Sequence, residues 1–117
     1  MIIDHRLYTL KPEKLKTWMS GWEHVALPLE KELLGTFLGM FTTEVGPNLS
    51  EVIHMWAYDS MGDRELRRQR LADDPRWKAY LLTTTEMAPF VSLSSRIIRP
   101  TCFSPMLEPR YDAPPTA

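Results

Sequence analysis

Residues 51–60, EVIHMWAYDS, decide the fold, because they alternate like a β-strand and then run directly into a helix start. Both sets of alternating side chains are largely apolar or aromatic, so this strand requires cover on both faces. That requirement guides the interpretation of the rest of the chain. One face carries Val52, His54, Trp56 and Tyr58, and the other carries Ile53, Met55 and Ala57.

Size and composition indicate one ordinary globular domain of 117 residues, 44% hydrophobic and 25% charged. The net charge of −1 gives no field that would attract nucleic acid or an anionic membrane, so neither is an expected partner. The first residues lack a signal-peptide core, and no apolar run approaches the ~20 residues that span a bilayer. A single cysteine, Cys102, excludes an internal disulfide and favours a cytoplasmic location.

Periodicity and turn signals place the other elements. Pro12 opens an amphipathic helix, and Pro28 predicts a break or kink at Leu27. Ser60 with Asp63, and Asp74 with Pro75, have the form of two further helix starts. The predicted strands are residues 2–10, 36–44, 51–58 and 91–99, and the predicted helices lie at residues 12–33, 61–72 and 75–88.

The resulting order, β-α-β-β-α-β, is the split βαβ pattern of a ferredoxin-like α+β fold, with an antiparallel sheet and both helices on one face. We expect the aliphatic strand residues to face the helices. The aromatic and polar set would then lie in water, so we expect a homodimer, or a higher oligomer, that packs two sheets face to face as a dimeric α+β barrel. The helix-facing set is Ile3, Leu7, Phe37, Phe41, Ile53, Met55, Leu93 and Ile97, and the dimer-facing set is Arg6, Tyr8, Leu38, Met40, His54, Trp56, Tyr58 and Ile98.

Composition changes towards the carboxyl end, where five of the ten prolines follow residue 99. We therefore assign residues 1–105 to the folded domain and residues 106–117 to a proline-rich, extended tail. Phe103, Met106 and Leu107 are expected to attach the start of this tail to the domain.

Three stretches resemble the NIPSNAP family: RLYTLKPEKLKTW at residues 6–18, the long run from LGMFTTEV to DDPRWKAYL at residues 38–81, and SSRIIRPTCFSP at residues 94–105. HMWAYDS followed by DRELRR and DDPRWKAY is the most specific part. The resemblance covers nearly all of residues 2–105 and implies a ferredoxin-like chain that pairs as a dimeric α+β barrel. The wider superfamily includes cofactor-free monooxygenases and haem-degrading proteins, but the NIPSNAP branch implies no residue-by-residue mechanism.

His54 is the candidate catalytic residue. A histidine within an aromatic cavity suits a general base or a haem ligand. The alternative is a buried, hydrogen-bonded strand histidine, which we favour because no second ligand or orienting carboxylate has a suitable spacing. His5 and His24 form no metal spacing with His54, so no metal site is predicted.

Arg6, Tyr8 and Arg64 are candidates for holding a carboxylate or enolate oxygen, with Trp56 and Tyr58 beside His54 as ligand-binding cavity wall. The alternative is that the arginines pair with Asp4, Asp59 or Glu44 inside the barrel, because a buried arginine requires an anion nearby. Trp18 and Trp22 lie one helical turn apart and are interpreted as core rather than as a ligand platform.

Three functional hypotheses follow. The first is a dimeric barrel that binds a small apolar or aromatic ligand with no cofactor. The second is a cofactor-free monooxygenase or a haem-processing enzyme, for which haem would be the cofactor. The third is a structural or interaction protein whose side chains fill the dimer interface. An open cavity near His54 favours the first two hypotheses, and a filled one favours the third.

Overall fold

A computed structural model describes residues 1–105 as a four-stranded sheet with two helical crossovers. Its strands run antiparallel in the order β2-β3-β1-β4, which confirms the predicted split βαβ topology. In chain order the elements are β1 Ile2–Leu10, a 3₁₀ turn at Pro12–Lys14, α1 Leu15–Gly21, a π-helical segment at Trp22–Ala26, α2 Leu27–Leu33, β2 Thr36–Thr42, β3 Glu51–Tyr58, α3 Met61–Asp73, α4 Pro75–Met87 and β4 Phe90–Ile98.

Strand β1 lies at the centre and fixes which side chains share a face. Arg6 lies opposite His54 on β3, and Tyr8 lies opposite Val52 on β3 and Leu93 on β4. Because cross-strand partners point the same way, the β1 residues Asp4, Arg6 and Tyr8 share a face with His54 and Trp56.

This shared face packs under the helices, so the predicted assignment of the two faces was wrong. Trp18 and Trp22 from the first crossover pack in one cluster with Val52, Trp56 and Tyr58. The opposite face carries residues such as Ile53, Met55 and the 49%-exposed Phe41. Ile3 and Ala57 are also buried there but lie outside the main cluster.

Two physical causes explain the error. The helical stripe is aromatic and accepts aromatic strand residues, while the polar members of that face pair with one another and are therefore tolerated under the helices. In addition, a register shift between Phe37 and Gly39 changes the parity of β2, so Phe37 and Met40 lie opposite Trp56 and His54 on the same face. Gly39 adopts φ 143°, a conformation that a side chain would strain.

Pro28 does not break the first crossover. The π-helical segment ends just before α2, and Leu27 N–H donates to the carbonyl of Trp22 five residues earlier. The wider turn accommodates the chain next to Pro28, and α2 continues to Leu33.

Both predicted helix starts in the second crossover are confirmed. The Ser60 hydroxyl accepts a hydrogen bond from Asp63 N–H at 3.1 Å, and the Asp74 carboxylate accepts one from Arg76 N–H at 2.8 Å with Pro75 in the first turn. Helix α4 ends where Ala88 takes a left-handed conformation before Pro89.

The end of the described chain differs from its prediction. Phe103 is exposed, so it does not attach the tail to the domain as expected. The predicted tail, including Met106 and Leu107, lies outside residues 1–105. Within the described range no helix is both long and apolar enough to cross a bilayer.

Candidate functional site

A cavity of about 250 Å³ lies between the helices and the sheet within one chain. We call it the aromatic cavity. Three charged residues, Arg6, Glu30 and Arg68, also line it. Both crossovers and two strands contribute its six aromatic side chains, which are Tyr8, Trp18, Trp22, Trp77, Tyr80 and Phe90.

Edge-to-face contacts hold the sheet side of this cavity. The ring centroid of Tyr8 lies 5.9 Å from that of Trp18 and 5.4 Å from that of Phe90, and Trp18 lies 5.7 Å from Phe90. Such ring pairs contribute ~0.5–1.5 kcal/mol each beyond the apolar area that they bury. The cavity therefore has at least one preorganised aromatic wall.

Asp4 is the anion that the predicted site requires. It is fully buried, and its Oδ2 accepts from Arg6 Nη1 at 3.1 Å and from Arg64 Nε at 3.0 Å. Arg6 Nε also donates to the Tyr8 hydroxyl at 3.0 Å. The structure thus realises the alternative in which Asp4 pairs with both arginines, and it fixes Arg6 and Tyr8 in the cavity wall.

His54 lies one layer below the cavity and does not line it. Only 1% of its surface is exposed, and its ring packs 4.9 Å from Tyr8 and 5.4 Å from Trp22. Trp56 Nε1 donates to His54 Nδ1 at 3.1 Å, which places the proton of a neutral imidazole on Nε2. No hydrogen-bond partner for that Nε2 occurs within residues 1–105.

The chemistry of His54 follows from this burial. Desolvation, and then the positive charge of Arg6, lower the pKa of His54 to about 3. The imidazole is therefore neutral near pH 7, and its only free nitrogen carries a proton. This arrangement matches a buried, hydrogen-bonded strand histidine and does not suit a general base.

The remaining predicted ligand-binding residues divide between different places. Trp56 is buried in the core against Phe37, at 4.8 Å between ring centroids. Tyr58 is buried at the far end of β3, where burial raises the pKa of its hydroxyl. Arg64 is held by Asp4 and does not line the aromatic cavity. The structure brings Arg6 and Tyr8 together in the wall and leaves the others beneath or beside it.

Glu30 is a candidate site residue that sequence reasoning missed. It lines the cavity from α2, is only 5% exposed, and its Oε2 finds no hydrogen-bond partner within residues 1–105. Burial raises the pKa of Glu30 to about 7, against the opposing charges of Arg68 and Arg6. The available signal was its spacing, since Trp18, Trp22, Ala26 and Glu30 recur every four residues.

Arg68 lies on α3, where a charged residue ordinarily faces solvent, but it lines the cavity. Within the described chain no carboxylate forms an ion pair with it, whereas Asp63 pairs with the neighbouring Arg67 at 2.8 Å. Arg68 is thus the cavity guanidinium best able to meet an incoming anion.

The site does not fit haem or a bound metal ion. No histidine, cysteine or methionine lines the aromatic cavity. Of its two tyrosines, Tyr8 accepts a hydrogen bond from Arg6, and burial raises the pKa of Tyr80 to about 12, so neither offers haem iron a ready phenolate ligand. Across residues 1–105 there is also no group of three or more His, Cys, Asp or Glu side chains placed to hold a metal ion.

Residues 3–105, which include the sheet and both crossovers, match the family model described as NIPSNAP. The chain belongs to the NIPSNAP family. The Drosophila melanogaster protein NipSnap is 30% identical over 104 residues, covering 89% of this chain and 36% of that protein. The Dictyostelium discoideum NipSnap homolog is 32% identical over 95 residues, covering 81% of this chain and 40% of that protein. The chain therefore spans less than half the length of these curated relatives.

Solved structures agree with this NIPSNAP assignment. A NIPSNAP family protein from Agrobacterium tumefaciens is 36% identical with a TM-score of 0.83, and the match covers 89% of this chain and 96% of that one. A Nitrosomonas europaea protein, provisionally named an antibiotic biosynthesis monooxygenase, is 8% identical with a TM-score of 0.62 and covers 86% of this chain and 98% of that one. At that identity the second likeness shows a shared fold alone.

Proposed function

We propose that this NIPSNAP chain binds a small, flat aromatic molecule carrying an anionic oxygen in the aromatic cavity. The observation that carries the proposal is a space of about 250 Å³ lined by six aromatic side chains and two guanidinium groups. A dry cavity of ~150 Å³ holds benzene, so this volume suits one or two fused rings.

The polar groups select the second feature of the ligand. A planar guanidinium recognises a planar carboxylate or enolate through paired hydrogen bonds. Asp4 forms a close ion pair with Arg6, whereas no carboxylate within residues 1–105 lies within ion-pair distance of Arg68. Glu30 acts on Arg68 from further away, and burial raises the pKa of Glu30 to about 7, which reduces its charge near neutral pH. We therefore place the ligand's anionic oxygen at Arg68 and its rings against the aromatic wall.

Titration of the purified protein with 2-naphthoate tests this proposal. Arg68→Gln is expected to raise the dissociation constant by roughly tenfold or more, because a hydrogen bond to a charged group contributes about 1.5–3 kcal/mol. Arg70→Gln is the matched control, since Arg70 lies on the same helix, is exposed and does not line the cavity. Calorimetry measures both. An equal loss in the two variants, or no binding by the parent protein, would contradict the proposal.

A cofactor-free oxygenase is the second candidate, and Glu30 is the observation that favours it. A carboxyl with a pKa of about 7 in the wall of an aromatic cavity suits a general base that takes a proton from a phenol or enol. The substrate carbanion would then react with dioxygen. Oxygen uptake with an easily oxidised dihydroxynaphthalene, lost in Glu30→Gln, would favour this candidate; binding without oxygen uptake would leave the first.

We also propose that the NIPSNAP chain is a homodimer and that it pairs through the sheet face opposite the helices. That face carries Leu7, Ile53, Met55 and the half-exposed Phe41, and packing two such faces would bury their apolar area. The two aromatic cavities would then lie on the outer sides of the paired sheets. A cytoplasmic location accords with the exposed thiol of Cys102.

Light scattering on a sizing column tests the pairing. The parent protein is expected to elute as a dimer at micromolar concentration, and Phe41→Asp is expected to shift it to a monomer because a buried, unpaired charge opposes association. Leu66→Asp, at an exposed leucine on α3, is the control and should leave the dimer intact. A monomeric parent protein would refute the homodimer.

A further inference from the structure

We propose that the aromatic cavity takes up its anionic ligand together with a proton, and that Glu30 is the group that accepts this proton. The inference rests on the proposed function, because it concerns the same cavity and the same class of ligand. It goes further by assigning Glu30 a role in selecting the charge state of the complex.

The charges around the cavity carry the first step. Arg6 and Arg64 share one buried counter-ion, Asp4, while Arg68 and Glu30 both line the cavity. An ionised Glu30 offsets the positive charge of Arg68. An arriving carboxylate competes for that same guanidinium, so the two anions repel each other in a partly desolvated space. Protonation of Glu30 removes this repulsion.

None of the other groups that face Glu30 can take up a proton in its place near neutral pH. Arg68 approaches from α3 and Arg6 from β1, and both oppose protonation. Tyr80 on α4 is un-ionised near pH 7, because burial raises its pKa to about 12, and His54 on β3 is neutral. Trp22, on the preceding helical segment, is not titratable in this range. Glu30 is therefore the group of this cluster that can change charge near neutral pH.

Burial supplies the second step. Oε2 of Glu30 has no hydrogen-bond partner within residues 1–105, so a lone pair or an added proton at this atom is not already engaged by the protein. The pKa of about 7 places the change in protonation within an accessible pH range. A ligand anion beside it would raise that pKa further, which by linkage makes ligand affinity depend on pH.

The expected consequence is directional. For 2-naphthoate, which stays ionised throughout, affinity should fall by about tenfold or more between roughly pH 6 and pH 8.5. The neutral analogue 2-naphthylmethanol should bind with little pH dependence, because it does not repel an ionised Glu30. Glu30→Gln carries no charge at any of these pH values, so its affinity for 2-naphthoate should be nearly constant and high.

Calorimetric titration with 2-naphthoate at several pH values tests the inference. Repeating the titration at about pH 8 in two buffers of different ionisation enthalpy counts the protons taken up, with an expected uptake approaching one per ligand. This measurement uses the unmodified protein, so it does not depend on the folding of a variant. Glu32→Gln is the matched control, because Glu32 lies on the same helix, is exposed and pairs with Arg76.

The outcomes separate the two proposals. Binding with proton uptake that Glu30→Gln abolishes and Glu32→Gln preserves supports the inference. Binding of 2-naphthoate without pH dependence or proton uptake overturns the inference and leaves the proposed function standing. Absence of 2-naphthoate binding at every pH tested overturns both the inference and the proposed function.

Discussion

The helices between β1 and β2 bury five residues, whereas those between β3 and β4 bury only Leu71 within the described chain. Both crossovers nevertheless line the aromatic cavity, through Trp18, Trp22 and Glu30 on one side and Arg68, Trp77 and Tyr80 on the other. Helix α4 contributes no buried residue at all. The cavity wall formed by the first crossover is thus part of the core, whereas the wall formed by the second crossover packs on the outside of the core.

This difference separates two tasks. Local stability follows the amount of buried apolar contact, so elements with little burial open at lower free energy than the core does. A wall belonging to the core keeps its aromatic surface fixed. A wall that can open without unfolding the sheet gives a ligand a wider route into the cavity. We therefore expect α4 to be the side through which a ligand enters.

The largest expected effect is on the core wall. Leu29→Ala in α2 removes a side chain that is 6% exposed and should cost roughly 2–5 kcal/mol of unfolding free energy. Leu82→Ala in α4 makes the same chemical change at a residue that is 68% exposed and should alter stability by less than about 0.5 kcal/mol. Urea unfolding measures both, and equal costs would mean that α4 is as much a part of the core as α2.

A smaller effect is expected from the buried carboxyl of the core wall. The pKa of Glu30 is raised from its ordinary 4.5 to about 7, so the folded protein binds more protons than the unfolded chain between these pH values and loses stability as pH rises. Glu30→Gln removes this loss. At about pH 8 the variant should be more stable than the parent by up to about 3 kcal/mol, and the advantage should vanish below about pH 4.

Comparison with the parent is essential in that experiment, because His54 acts in the opposite direction. Its pKa is lowered from 6.5 to about 3, so its contribution to stability is present above pH 6.5 and is lost as pH falls. The opposite pH dependences of stability that Glu30 and His54 cause partly cancel between about pH 4.5 and 6.5. Unfolding midpoints across the pH range are the measurement, with Glu32→Gln as control. An unchanged difference at all pH values would contradict the assigned role of burial at Glu30.

The smallest expected effect concerns the surface ion pair that links the start of α4 to α2. Arg76 Nη2 at the start of α4 lies 2.6 Å from Glu32 on α2 and 2.8 Å from Asp74, and all three groups meet at the surface. Exposed ion pairs contribute little to global stability. Arg76→Ala should therefore leave the unfolding midpoint unchanged while hydrogen exchange in the first turns of α4 becomes faster. An Arg70→Ala control should change neither the unfolding midpoint nor the exchange rates. Unaltered exchange in Arg76→Ala would show that the ion pair has no local effect.

Much of the fold could be predicted because the signals were local. The alternation of β3, the Ser60 and Asp74 caps and the element order all depend on neighbours in sequence, and the structure confirms them. Which face of the sheet packs against the helices is not determined by neighbours in sequence. It depended on whether Trp18 and Trp22 would accept aromatic or aliphatic partners, which periodicity alone does not determine.

The site was predictable only in part for the same reason. Arg6 and Tyr8 share a strand face by alternation, and the pairing of both arginines with Asp4 was one of two open alternatives. Glu30 and Arg68 lie on helices, where a charged residue ordinarily faces solvent. The four-residue recurrence of Trp18, Trp22, Ala26 and Glu30 places Glu30 on the buried side of its helix but does not reveal a cavity. Only the packing of α2 and α3 over the sheet brings Glu30 and Arg68 into the cavity wall.

The π-helical segment at Trp22–Ala26 has an angular consequence. On a regular α-helix a four-residue step overshoots a full turn by about 40°, so three steps from Trp18 to Glu30 would accumulate about 120°. The wider turn takes back part of that excess and keeps Trp18, Trp22, Ala26 and Glu30 directed to one side. The segment thus sets the rotational phase of α2. A regular α-helix through the same residues would instead place Glu30 about 120° around the helix axis from Trp18, away from the ligand.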